Sequence, residues 1–442
     1  MTRFVLVGAL AATALASLVP TAAAERPRTW NTRPVGHVPL RGGFNGDVWV
    51  HRRAAYVGSW GIGGICPVHG VRAISVRIPT RPRVVSRFAR FPATTAEDVW
   101  VGAVETPSFR GDLAAVGIQR CRRSAPFAGL ALFDVTRPGR PRLLARLPSE
   151  AGVRGVHELS VVQRADGRVL ALLAVPHSLL ATEGRKGDVR IVDVTNPRSP
   201  QELADWDFRR DGPVAERADL VARRGSLELY AHSVAPYAGG QRAFVSHWDA
   251  GTVFLDLADP ANPVYLGRTA YAGGVHGNAH SGAFAPGEAL FVQNDEVGDF
   301  YATGTERRAW GFQRIFDVSN PGAPVQIGRF ATEASIPGRD GRIRRGGFYS
   351  VHNNVIVGQL QVVSWYSDGV RIVSLRNPRR PRQVGFFVPP PRRDPQRFWR
   401  APNGAARFPQ VWGVAVRGDL VYASDINSGL WIFRARALTA RG

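Results

Sequence analysis

The chain has 442 residues, 44% of them hydrophobic and 21% charged, which excludes global disorder and a collagen-like fibre. Its formal charge of +22 comes from 57 basic against 35 acidic residues, with Lys186 the only lysine. Basicity written almost wholly in arginine reads first as composition and only then as affinity for acidic polymers. Two cysteines exclude a disulfide-rich scaffold and an all-cysteine zinc cluster.

Residues 1–24 read as a signal peptide. Met1-Thr2-Arg3 is a short basic start, Phe4 to Pro20 is almost wholly apolar, and Ala22-Ala23-Ala24 before Glu25 has the small-residue pattern of a cleavage site. No cysteine stands near the cut to carry a lipid, and no later segment is long and apolar enough to span a bilayer. The expected location is secreted, extracellular or cell-wall associated.

From Glu25 to Gly442 one pattern recurs, and a single domain is expected. Its signatures lie near 70–85, 129–145, 187–204, 251–268, 311–329, 369–386 and 429–437. A position that is usually Asp falls at Ser75, Asp134, Asp193, Asp256, Asp317, Ser374 and Arg434, a period near sixty. Each copy reads as four short strands closed by Gly, Asn or Pro turns; around Gly251 these are SVAPY, AFVSH, TVFLDL and VYLG. Seven radial repeats of four strands predict an all-β, seven-bladed β-propeller. The last copy stops one strand short, and Arg33–Leu40 (RPVGHVPL) matches the missing tail strand. An N-terminal strand closing the last blade would repair both defects.

The unit G-x-R-I-V-D-V-x-N-P-x-x-P, clearest at Val189–Pro200 and Phe312–Pro324, resembles the LVIVD repeat of secreted bacterial propeller proteins. Copies one, six and seven lack the Asp. The resemblance implies the fold and assigns no catalytic residue, so function has to come from the faces of the ring.

In such a blade the second-to-third loops and the blade connections emerge on one face. The long stretches fall there: Ile62–His69, Phe109–Phe127 and Val297–Trp310 as expanded loops, and Asp205–Tyr230, Ala331–Tyr349 and Phe387–Gln410 as expanded connections. First-strand starts on that face carry Asp47, Glu97-Asp98, His157-Glu158, His232, His276 to His280, His352-Asn353 and Trp412. His157, His232, His276, His280, His352 and Glu97 could hold a divalent metal at the channel mouth. The competing reading has these side chains bonding neighbouring blades and channel water. Second-strand ends supply ligand-binding candidates: Trp60, His247, Trp248, Asn294, Asp295, Trp365, Tyr366 and Asp425. Aromatic groups there would be exposed and stack on a ligand, or would pack beneath the long loops.

Hydrolase elbow, P-loop and dinucleotide templates are missing, and the arginine runs lack interleaved aromatics, so nucleic acid is not an expected partner. Two function classes remain. One is a binding or interaction module, monomeric, engaging a cell-wall or extracellular glycan, a peptide or a protein through the long-loop face. The other is a metal-dependent hydrolase or oxidoreductase at the channel mouth. Cys66 and Cys121 lie in equivalent loops of adjacent blades and are expected to form a disulfide after export.

Overall fold

In the computed structural model, residues 26–61, 65–67, 69–150, 152–176, 186–222, 229–271, 277–296, 310–336, 338, 340, 346–394 and 407–439 are described. Residues 1–25, which include the segment read as a signal peptide, His276 and the stretch 297–309 lie outside them. Seven antiparallel sheets form the blades of a β-propeller. Blade 1 begins at Asn45–His51, blade 2 at Val99–Thr106, blade 3 at Leu159–Gln163 and blade 4 at Ser233–Tyr237. Blades 5, 6 and 7 begin at Ala279–Phe284, Asn354–Val357 and Val411–Arg417.

The recurring Asp works locally. Asp134, Asp193, Asp256 and Asp317 each accept the N–H two residues on, at 2.7–3.0 Å, through Oδ1. Asn196, Asp259, Asn320 and Asn377 repeat that bond in the following Asn-Pro segment. Two successive side-chain-capped turns therefore reverse the chain between the third and fourth strands. Every fourth strand then carries a bulge that leaves one aliphatic residue out of register: Val85, Leu144, Leu203, Leu266, Ile327, Val384 and Val35 in turn. Glycine follows this residue where blades meet closely. A Cβ on Gly36, Gly267 or Gly328 would stand 2.0–2.3 Å from the carbonyl of Pro79, Pro321 or Pro378 in the next blade's turn.

The core is a ring of seams rather than one centre. Val71, Ala73 and Phe88 of blade 1 meet Val99, Ala114 and Val116 of blade 2, and comparable clusters fill the other seams. The last seam joins Tyr422, Leu430 and Ile432 of blade 7 to Val48, Val57 and Ile74 of blade 1. Thr32–Val38 pairs with Gly429–Ala435 as the outer strand of blade 7, so the expected closure is observed. The segment also does something the sequence did not announce: Arg28–Trp30 adds a fifth strand to blade 6.

Two connections differ from expectation. Phe109–Phe127 is not mainly loop, because Phe109–Arg120 is a strand paired along both edges. The connection after blade 3 folds into two helices, Phe208–Asp211 and Val214–Ala222. Cys66 and Cys121 are disulfide-bonded, their Cα atoms 5.6 Å apart, tying blade 1 to blade 2 across 55 residues of sequence. Replacing both with serine is expected to lower stability by about 3–4 kcal/mol, read by denaturant unfolding. An unchanged midpoint would remove the bond from the stability of this face.

Candidate metal centre

The first-strand starts meet on the propeller axis because each blade begins there on the same face. Four imidazoles from four consecutive blades lie in sequence around it. His157 and His232 approach Nε2 to Nε2 at 2.9 Å. The ring centroids of His232 and His280 are 3.9 Å apart, and those of His280 and His352 are 4.1 Å apart. Two groups could each hold an ion: His157 with Glu158 and His232, and His232 with His280 and Glu296, the ligand atoms within 4.8 Å of one another.

An outer set of acceptors orients the rings. His157 Nδ1 faces Glu97 Oε2 at 3.0 Å and Gln119 Oε1 at 3.3 Å. His232 Nδ1 faces Glu158 at 3.6 Å, and His280 Nε2 faces Glu296 at 3.5 Å. His352 Nδ1 bonds the Trp412 carbonyl at 2.9 Å. Tyr366 donates to Glu296 in turn, and Asn353 donates to Asp47 at 2.8 Å. Metal-bound histidines characteristically carry such acceptors on their second nitrogen.

The cluster is poorly satisfied by itself. If His157 Nδ1–H donates outward, its Nε2 is a lone pair, and His232 Nε2 must donate to it. That leaves His232 Nδ1 as a lone pair 3.6 Å from the Glu158 carboxyl, which burial keeps protonated and able to donate. A cation between the two Nε2 atoms is the other arrangement, in which both rings offer lone pairs inward and donate outward. Two ligand nitrogens at right angles around an ion, each about 2.1 Å from it, stand about 3 Å apart. Buried and without a hydrogen-bond partner among the described residues are both Glu97 oxygens, Glu158 Oε1, Asp47 Oδ2, His280 Nδ1 and His352 Nε2.

Burial dominates the protonation of these groups. Desolvation holds His157 down to about 3 and His232, His280 and His352 well below their ordinary value, so the imidazoles are neutral. The same burial lifts Glu97 to about 8 and Asp98 and Glu296 to about 7. Asp47 and Glu158 are raised too, first by desolvation, then by Asp98 and Glu97 for Asp47 and by Asp47 and Asp98 for Glu158. In the metal-free protein, folded carboxyls with raised values stabilise at low pH, and that contribution is lost as pH rises through the folded values. The lowered histidines destabilise only below about 6.5. Between pH 6.5 and 8.5 only the carboxyl effect remains, so the melting temperature in chelator is expected to fall across that window. A flat or rising profile would contradict the assignment.

The ligand-binding candidates have the following partners. Trp60, Trp248, Trp365 and Tyr366 are buried, the second of the two arrangements the sequence left open for them. Trp365 donates to Ser335 Oγ and the Tyr349 carbonyl, and Trp60 packs with Phe44 and Trp412. Asn294 bridges Ser281, Asn354 and Gln313. Asp295 pairs with Arg314 and accepts from Tyr271. Asp425 caps the turn at Asn427 and Ser428. His247 sits 3.3 Å from Asp188 in a separate buried group with Asp207, where Arg209 supplies the counter-charge. The blade-bonding role weighed for these side chains is seen at His352, which bonds the Trp412 carbonyl of the next blade, and Ser233 and Ser281 likewise donate to the His280 and His352 carbonyls.

The LVIVD repeat family model matches residues 313–332, inside the fifth copy. The chain is similar to Raptor from Chaetomium thermophilum at 10% identity and a TM-score of 0.56, over 92% of this chain and 30% of that one. It is also similar to the computationally designed Ika8 protein at 8% identity and a TM-score of 0.49, over 91% and 99% of the two chains. The Raptor likeness shows the fold alone, and this chain spans under a third of Raptor's length. No curated protein matches the chain.

Proposed function

We propose that this propeller is an exported, metal-dependent enzyme, a hydrolase or an oxidoreductase, whose ion is held on the axis by His157, His232, His280 and His352. The observation that carries the reading is the convergence of four neutral imidazoles from four blades, with Gln119 and the Trp412 carbonyl bonding His157 and His352 from outside and the Glu158 and Glu296 carboxyls 3.6 and 3.5 Å from His232 and His280. All-imidazole donors suit iron, copper, nickel or zinc rather than calcium or magnesium. Four protein donors would close a tetrahedral zinc site, whereas an ion taking five or six donors keeps positions for a substrate. Such an ion would supply redox or Lewis-acid chemistry; the chain's own residues orient the imidazoles and exclude water. The aromatic side chains expected to bind a glycan on the loop face are buried, which favours the axial site over a stacking surface.

Export is supported by the residue pattern of 1–24 and by the Cys66–Cys121 bond, which persists in oxidising compartments. Among the described residues no helix is long and apolar enough to cross a membrane. The test is elemental analysis of the purified chain after chelation, reconstitution with iron, copper or zinc, and desalting. About one bound transition ion per chain supports the reading. No retained ion overturns it.

A further inference from the structure

The first strands leave the axial site toward the opposite, short-turn face, where the turns between third and fourth strands emerge. Those turns are one structure repeated: the N–H of Arg81, Arg140, Ser199, Asn262, Ala323 and Arg380 bonds the carbonyl three residues back at 2.8–3.1 Å. Equivalent residues therefore stand at one level around the ring, but their charges are uneven. Segment 374–382 of blade 6 holds Arg376, Arg379, Arg380 and Arg382 and no acidic residue; segment 75–83 of blade 1 holds Arg77, Arg81 and Arg83 and none. In blade 2, Arg142 pairs with Asp134, which leaves Arg137 and Arg140 over. Blade 3 has one residue of each sign in 193–201. Blade 4 has two aspartates in 256–264 and blade 5 one in 317–325, and neither segment holds a basic residue. Arginine supplied by composition alone would fall evenly on six equivalent turns. The arginines of these turns in blades 6, 1 and 2 are exposed, and apart from Arg142 none pairs with a carboxylate among the described residues. Arg33 and Arg436, exposed at the same end of blade 7, continue the arc between blades 6 and 1. Two aliphatic side chains stand among the charges: Ile78, 58% exposed, between Arg77 and Arg81, and Leu143, 47% exposed, beside Arg142.

We propose that this arc docks the protein on an anionic lipid bilayer, with the short-turn face toward the surface and the long-loop face away from it. Each basic side chain near such a surface contributes about fivefold in partitioning. Apolar side chains flanked by basic ones gain further by burial at the headgroup boundary, which gives Ile78 and Leu143 a place. The aspartates of blades 4 and 5 are repelled, so contact is made through one side of the ring. A soluble polyanion fits less well. The arginine-bearing turns contain no aromatic residue on which bases could stack, and a polyphosphate chain would leave both aliphatic side chains in water.

The inference is independent of the axial ion. It is tested by flotation of the full chain with vesicles of phosphatidylcholine, with and without phosphatidylglycerol. Binding is expected only to the anionic vesicles, and it should be strong at about 0.1 M salt and lost at about 1 M, where screening is nearly complete. Arg77→Gln, Arg81→Gln and Arg83→Gln combined should lower it by about 100-fold. Arg41→Gln, Arg122→Gln and Arg123→Gln combined remove the same charge from the long-loop face and should lower it by less than about tenfold. Ile78→Ser with Leu143→Ser should weaken vesicle binding and leave binding to inorganic polyphosphate unchanged. All these side chains are exposed, so each variant should melt with the parent. No binding to anionic vesicles overturns the proposal, as does an equal loss in the two triple variants. Vesicle binding untouched by Ile78→Ser with Leu143→Ser, together with tighter binding to polyphosphate, assigns the arc to a soluble polyanion and overturns it too.

Discussion

A chain lacking everything through Leu40 is expected to aggregate or to melt far below the full protein, losing several kcal/mol. Three independent contributions would go with the segment. Thr32–Val38 is the outer strand of blade 7, and its removal opens the edge of Gly429–Ala435, a ready site for intermolecular pairing. Val35 and Val38 pack in the seam between blades 7 and 1, and Leu40 is buried there. Burying such side chains stabilises by about 1.5–3 kcal/mol each. His37 also stacks on Trp431 at 3.8 Å and bonds the Ser428 carbonyl. The segment then crosses to blade 6, where Asn31 Nδ2 donates to Val384 O, Thr32 Oγ1 to Phe386 O, and Arg28–Trp30 covers the outer edge. A ring fails at its weakest seam, so the loss cannot be confined to one blade. Calorimetry of the truncated and full chains decides the matter. Coincident melting would show that closure does not depend on this strand.

The ring was legible because its instructions are local and repeated. A capped turn needs only an Asp or Asn and the next few residues, so the same signature recurs in blades 2 to 5 wherever each blade sits. The missing last strand was legible for the same reason, since Arg33–Leu40 has the same tail-strand pattern as Val264–Arg268. Arg28–Trp30 carried no such signal: three exposed residues become a strand only because the chain passes blade 6 on its way from blade 7. Phe109–Arg120 was mistaken for loop because Ala114, Ala115 and Gly117 have weak strand preference, and its neighbours on both edges decide the outcome.

The site was half legible. Strand register placed the histidines at one level on the axis, which spacing alone could reveal. The outward partners were not assigned, because Glu158 and Glu296 acquire their roles only when blades 3, 4 and 5 meet. The sequence left the aromatics open between exposure and burial, because Trp248 and Tyr366 sit at turns with positive φ and only the folded loops decide which.

His232→Ala is expected to abolish metal retention, lowering affinity by more than about 100-fold, while leaving the ring folded. His232 is the residue common to both candidate ligand groups, so its loss breaks each of them at once. Its imidazole also holds the central place in the chain of rings, between His157 and His280. His352 contributes from the far end, and His352→Ala should weaken retention less. Glu158→Gln keeps all four imidazoles but alters a member of the first candidate group, the carboxyl facing His232 Nδ1, and a loss of about 10–100-fold is expected. Stability of the metal-free protein should move little in His232→Ala. The deleted ring leaves a cavity, which destabilises, but it also removes a buried nitrogen with no hydrogen-bond partner, which relieves a cost of similar size. The clearest readout is therefore the shift in melting temperature on adding the ion: large in the parent, reduced in Glu158→Gln, zero in His232→Ala. Full metal content in His232→Ala would place the ion elsewhere. Collapse of the metal-free variant would make His232 a structural link between blades 3 and 4, and His232→Gln, which can still donate to His157, would then restore folding without restoring the ion.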